Sequence, residues 1–233
     1  LTACRANDAL LLVDCVTSLG GQRFEVDAAG VDVAFSGSQK TLNCPPGLAP
    51  FTVSPRASTR LIEREDRCRS WYFDLRAILD YWREDTAVAP PRVYHHTAPI
   101  NMIYALNEAL GLLLEEGLEP RWARHEQAHE ALRGALEPLG FQRLAPSGEA
   151  LWSLLAVTVP DGVDEAAVRR ALLLEHGIEI SGGLGPLAGR VWRIGVMGVG
   201  ATPEPQERLV AAIATRLGVD AAEPLARLEE GWS

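Results

Sequence analysis

The sequence predicts an α/β chain, in which a mostly parallel sheet with covering helices is followed by a small α+β unit. Three observations carry that prediction. A continuous apolar run at 9–13 ends in Asp14, the pattern of a strand buried on both faces of a parallel sheet, and largely apolar stretches at 31–35 and 48–53 read as two more strands. The stretch from 58 to 136 is patterned at helical spacing. Beyond 153, strand-like and helix-like segments alternate, as in a compact α+β arrangement.

Taken in order, Ala9 to Val13 reads as the first strand and leads into Asp14. Val31 to Phe35 is the second, and Leu48 to Val53 the third, after the break at Pro45-Pro46-Gly47. Gly20-Gly21 and Gly30 punctuate the turns between them. Chemically useful residues at the carboxyl ends of such strands place a ligand outside those ends. Ser58 to Asp66 and Leu75 to Trp82 predict short helices. Ile100 to Glu116 predicts a longer one, with Ile103, Leu106, Leu110 and Leu113 on one stripe and Gly117 as its cap. Pro120 to Leu136 follows, ending before Gly140. Ser153 to Val159 reads as a strand, Glu165 to His176 as a helix and Val191 to Val196 as a strand. Pro203 to Leu217 closes the pattern as an amphipathic helix with Leu209, Ile213 and Leu217 four apart. The boundary between the two units is expected near Gly117 to Trp122, giving 1–118 and 119–233.

Composition narrows the function classes. With 233 residues, 47% hydrophobic and 23% charged, the chain has ample material for a core. A formal net charge of -9 without any basic run argues against a nucleic-acid or anionic-membrane binder. No apolar stretch reaches the length of a membrane span, and no signal-peptide pattern is present. Cys4, Cys15, Cys44 and Cys68 are irregularly spaced without a CxxC pair, which fits free thiols in a reducing compartment, so the cytoplasm is the expected location.

The residues that carry chemistry begin with Lys40, the only lysine in the chain, behind the small-residue run Ser36-Gly37-Ser38-Gln39. A lone lysine in such a loop can act as an amine nucleophile toward an aldehyde. Asp14, at the end of an apolar strand, is suited to keep a pyridine nitrogen protonated. Taken singly, each has a plainer reading: a surface lysine, and a strand-end cap or ion pair.

Their order along the chain goes further. Leu12-Val13-Asp14-Cys15-Val16-Thr17-Ser18-Leu19-Gly20-Gly21 is followed by Gly30-Val31-Asp32, Ser36 to Lys40 and Pro45-Pro46-Gly47. Tyr94-His95-His96-Thr97, Gly182-Gly183-Leu184-Gly185 and Arg193-Ile194-Gly195 come next. This series resembles the class V, fold-type I pyridoxal phosphate aminotransferases, and within them the alanine–glyoxylate and serine–pyruvate group. The resemblance covers essentially the whole chain. It implies a partial large domain of the pyridoxal phosphate transferase fold followed by the small α+β domain, acting as a homodimer.

The resemblance also implies transamination between a small amino acid (alanine or serine) and a 2-oxo acid (glyoxylate or pyruvate). Lys40 would form the Schiff base and then shuttle a proton, and Asp14 would bind the pyridinium nitrogen. Val16 would pack on a ring face and Gln39 would hydrogen-bond the phosphate. Tyr94 and Thr97 would reach the phosphate in the neighbouring subunit. Arg193 would grip the substrate α-carboxylate, with Gly183 in a loop that allows close backbone approach. The family's amino-terminal part of the large domain is missing from this sequence, which begins at Leu1. The phosphate-cradling glycine loop and the stacking aromatic belong to that part, so the chain is expected to be a fragment with exposed apolar sheet edges.

Rival readings are weaker. Cysteine desulfurase needs a nucleophilic cysteine late in the chain, whereas the last here is Cys68, and Gln39 replaces the histidine usual before its lysine. Phosphoserine aminotransferase needs phosphate-binding His-Arg pairs with no clear counterpart. A catalytically incomplete dimerisation or binding remnant is the alternative outside enzymes. His125-Glu126-Gln127-Ala128-His129 matches the H-E-x-x-H zinc-peptidase signature. Its flanking Arg121, Arg124, Glu130 and Arg133 predict a solvated helix face instead, and no metal is expected.

Overall fold

Two sheets organise the molecule, whose computed structural model describes residues 1–82, 93–146 and 148–233. The first follows a short helix α1 (Thr2–Ala6) and consists of β1 (Leu12–Asp14), β2 (Val33–Phe35) and β3 (Phe51–Val53) in that order. β1 and β2 are parallel, with Asp14 opposite Phe35; β3 returns antiparallel, Phe35 opposite Phe51. The link between β2 and β3 contains no helix; it holds the Lys40 turn and brings the chain back alongside β2. The buried carboxylate of Asp32 ties the start of this sheet together, accepting from the Leu11 amide (2.9 Å), Ser54 Oγ (3.2 Å) and Arg56 (2.9 Å).

The strands are shorter than the apolar runs predict, and β1 is not buried on both faces. Leu12 is 60% exposed, and Phe35 and Phe51 are exposed as well. Only the side carrying Cys15, Val31 and Ala34 forms a small core, with Leu11, Val13, Val26 and Ala29 packed on it.

The helical middle comprises α2 (Pro55–Glu63), α3 (Leu75–Trp82), α4 (Ile100–Glu116) and α5 (Leu118–Leu136). α2 starts three residues earlier than the pattern predicts, because Ser54 Oγ caps it by accepting from the Ala57 amide and Pro55 opens its first turn. α4 ends where expected, at Gly117, whose φ of 86° breaks the helix and lets α5 leave in a new direction.

The second sheet runs β4 (Gln142–Arg143), β5 (Leu154–Thr158), β7 (Val191–Gly195), β6 (Ser181–Gly182), all antiparallel. α6 (Glu165–His176) lies between β5 and β6 in sequence, and α7 (Pro203–Leu217) and α8 (Ala222–Trp232) end the chain. Side chains alternate across β5 and β7 as strand pleating requires. Leu155 faces Ile194 and Val157 faces Trp192 in register, all four buried in the main core with Leu132, Leu136, Leu172, Val210, Ile213 and Leu228. Ala156 and Arg193 pair on the opposite face. β4, β6 and α8 are elements the periodicity does not announce.

Candidate active site

The Lys40 turn is held by buried hydroxyls. Ser36 Oγ donates to the Cys15 carbonyl (3.0 Å), Ser38 Oγ to the Pro45 carbonyl (2.7 Å) and Thr41 Oγ1 to the Thr17 carbonyl (3.2 Å). Ser36, Ser38 and Thr41 are all buried, so the small polar residues around Lys40 satisfy backbone acceptors that the tight turn leaves unpaired. Lys40 itself is half-buried, and among the described residues its ammonium has no hydrogen-bond or ion-pair partner.

Asp14 ends β1 on the same carboxyl edge from which the Lys40 turn leaves β2, because the two strands are parallel. Its carboxylate is exposed; Oδ1 accepts from the Val16 amide at 2.8 Å, and among the described residues Oδ2 is unpartnered. That bond holds the half-buried Val16 beside the carboxylate. Gln39 is exposed, its amide folded over Gly37. Asp14, Val16, Gln39 and Lys40 are therefore one cluster at the carboxyl ends of adjacent parallel strands.

Arg193 is approached from the second sheet. Its Nε donates to the Gly182 carbonyl at 2.8 Å, which spends the inner edge of the guanidinium and leaves the two terminal nitrogens without partners among the described residues. Glu165 supports this strand from behind, accepting from Arg169 (2.7 Å) and from Trp192 Nε1 (3.2 Å). Gly183 is required by its own surroundings. A Cβ there would lie 2.1 Å from the Leu187 carbonyl oxygen, so the chain's own backbone fills that space.

Tyr94 and Thr97 hydrogen-bond each other at 2.7 Å, and both are exposed. His95 is turned inward between them, stacked on Trp71 at 4.1 Å, with its Nε2 at 3.1 Å from the Trp71 carbonyl. Its Nδ1 lies 2.8 Å from His96 Nδ1, so one imidazole donates and the other accepts. Among the described residues, no hydrogen bond joins this pair of hydroxyls to Lys40, Gln39 or Asp14.

The solvated face expected for α5 is a correction. His125 is fully buried and His129 is 1% exposed. Arg121, His125, Ala128, Leu132 and Ala135 recur at three- and four-residue spacing and all face inward, a stripe in which the charged residues obscured the periodicity. His125 donates from Nδ1 to the Arg121 carbonyl (2.8 Å) and accepts at Nε2 from the Gly198 amide (3.2 Å). That arrangement requires the neutral ring, and burial pushes its pKa down to about 4. With both nitrogens engaged, His125 has no lone pair for zinc, and no group of three metal-ligating side chains occurs among the described residues. Cys15, next to Asp14, is buried, which raises its thiol pKa and leaves it a poor nucleophile.

A buried arginine and two half-buried charged residues that pattern reading missed join these parts. Arg121 donates from Nε to the Gly20 carbonyl (3.0 Å), through a terminal nitrogen to the Thr41 carbonyl (2.6 Å) and through the other to Glu116 (2.6 Å). Glu116 also takes Arg124 at 2.6 and 3.0 Å, and Arg124 donates to the carbonyls of Gly198 (3.0 Å) and Ala201 (2.8 Å). The two guanidinium groups, Arg124 foremost, hold Glu116 below the usual carboxylate range.

This geometry, a lysine turn and a strand-end aspartate on one edge with an arginine on a second sheet, belongs to a described class of enzymes. A family model, Aminotransferase class-V, matches residues 1–189, and the chain belongs to that family. It is 41% identical over 212 residues to alanine–glyoxylate aminotransferase of Callithrix jacchus, covering 90% of this chain and 50% of the relative. Among solved structures it resembles alanine–glyoxylate aminotransferase from Nostoc sp., with 47% identity and a TM-score of 0.87 over 93% of this chain and 56% of the other. It also resembles ureidoglycine–glyoxylate aminotransferase from Bacillus subtilis, with 36% identity and a TM-score of 0.91 over 99% and 59%. The chain spans about half the length of the curated relatives it matches.

Proposed function

We propose that this chain carries the lysine-bearing part of a pyridoxal phosphate-dependent aminotransferase that moves an amino group between alanine or serine and glyoxylate or pyruvate. The observation that carries the reading is the Lys40–Asp14 cluster. It puts an amine without a partner and a carboxylate with one free oxygen, among the described residues, on one edge of a parallel strand pair. The residues suit the group: Lys40 would hold the aldehyde carbon, Asp14 the ring nitrogen and Val16 a ring face. Gln39, with Tyr94 and Thr97 of a second copy, would hold the phosphate. When bound, pyridoxal phosphate supplies a sink for the electron pair left at an amino acid's α-carbon.

The chain's own groups do the rest. Asp14 would hold a proton on the ring nitrogen. Lys40 Nζ, the amine on that edge, would be the base that holds and moves the proton of the substrate's α-carbon. Arg193, tied at Nε, would offer its terminal nitrogens to a substrate carboxylate in a paired geometry and so orient the α-carbon. The division into units 1–118 and 119–233, homodimerisation and a cytoplasmic location belong to the same proposal.

The test is absorption spectroscopy with pyridoxal phosphate. A visible band that disappears in Lys40→Ala and is bleached by alanine is expected; a chain with no band, or a band indifferent to Lys40→Ala, overturns the assignment. A binding or dimerisation role without turnover is the second reading, favoured by the exposed Leu12, Phe35 and Phe51 on the first sheet. It predicts self-association with no bleaching by any amino acid.

A further inference from the structure

We propose that Arg121 is a positioning residue for Lys40, and that Arg124, joined to it through Glu116, positions the loop that follows the Arg193 strand. The proposal rests on the aminotransferase reading and extends it to residues that touch neither cofactor nor substrate. Thr41, the residue bonded to Lys40, is fixed twice: its hydroxyl donates to the Thr17 carbonyl and its own carbonyl accepts from Arg121. Arg121 also takes the Gly20 carbonyl, at the end of the loop that leaves Asp14. One buried guanidinium, 6% exposed, thus sets the lysine turn against the aspartate loop. Arginine suits this task because its rigid fork serves several acceptors at once.

The other half of the junction reaches Arg193. β7 carries Arg193 and runs into the turn Gly198–Gly200, whose carbonyl and amide are held by Arg124 and His125. The Asn43 side chain packs against Gly198 so closely that a Cβ there would lie 2.4 Å from Asn43 Oδ1. The Asn43 amide in turn donates to the Lys40 carbonyl at 2.9 Å. Lysine turn and arginine strand are therefore in mechanical contact, with the Arg121–Glu116–Arg124 cluster bracing the contact from α5.

The test begins without cofactor, by hydrogen–deuterium exchange on the full chain carrying Arg121→Met or Arg121→Lys. Loss of charge-assisted bonds to backbone carbonyls should raise exchange across 17–21 and 38–44 roughly tenfold or more, while β5 and α7 keep wild-type protection. Arg121→Lys preserves charge but cannot span three acceptors, so it should give the same pattern, more weakly; it also serves if the methionine variant fails to fold. Unchanged exchange at 38–44, or an equal rise everywhere, overturns the proposal. With pyridoxal phosphate and alanine, Arg121→Met should weaken cofactor affinity about tenfold, whereas Arg124→Met should keep the visible band and raise KM for alanine. Identical effects of the two variants would also overturn it. Absence of any band in the wild-type chain would count against the aminotransferase reading, and the exchange result would still judge the junction.

Discussion

His125 sits between a backbone carbonyl on its own helix and a backbone amide on the Gly198 turn, and only the neutral imidazole serves both. The unfolded chain's imidazole takes up a proton near 6.5, while the folded one resists until about 4. Its contribution is therefore complete above 6.5 and is lost as pH falls toward 4, amounting to about 3 kcal/mol at the acid end. His129, also buried, is shifted in the same direction by the same cause. Urea unfolding between pH 7 and 4 should show this decline. His125→Gln, which keeps a donor and an acceptor without a titrating group, should flatten it. The same decline in the glutamine variant would mean that other groups carry the pH dependence. At this scale the sequence singles out Lys40 and Asp14 as candidates by identity and order, and the fold sets them at the ends of adjacent parallel strands. His125 was misread because its charged neighbours suggested water where the fold supplies carbonyls.

Among elements, the long periodic ones were readable and the short ones were not. α3, α4, α6 and α7 have the bounds their patterns predict, because each carries an apolar stripe and three of them have a clear stop or cap. β4 and β6 are two residues each, below any period that could announce them. α8 contains Pro224 and Gly231, poor helix formers, and is stabilised by packing on α5 and α7 instead. Leu228 is buried in the main core, and Trp232 Nε1 donates to Gln206 Oε1 at 3.0 Å while Gln206 Nε2 donates to the Ala128 carbonyl at 2.9 Å. Leu228→Ala should cost about 3 kcal/mol in urea unfolding, as a cavity in a close-packed core requires. A loss near zero would show that α8 is an ornament on the surface.

Across the whole molecule the distribution of apolar surface is uneven. The second sheet and its helices enclose a full core, whereas α4 presents Tyr104 and Leu114 to solvent, each 71% exposed, near exposed Ile100, Ile103 and Leu110. A stripe of that kind is costly in water, and covering it on association would remove that cost. Sedimentation should show concentration-dependent association, and Tyr104→Glu combined with Leu114→Glu should shift the equilibrium toward the monomer at least tenfold. An unchanged profile would remove α4 from the association surface. No described helix is long and apolar enough to cross a membrane.

By itself the sequence determined the α/β class, the order of most elements and the identity of the Lys40, Asp14 and Arg193 candidates. Periodicity is a local property, and a motif series is read along the chain. Tertiary structure alone decided that Gly183 is spent on Leu187, that α5 turns Arg121 and His125 inward, and that one arginine braces the lysine turn. The acceptors that make Arg121's burial tolerable, at Gly20 and Thr41, lie 101 and 80 residues away. A buried charge is paid for only where the folded chain brings such partners to it, and no window of sequence contains them.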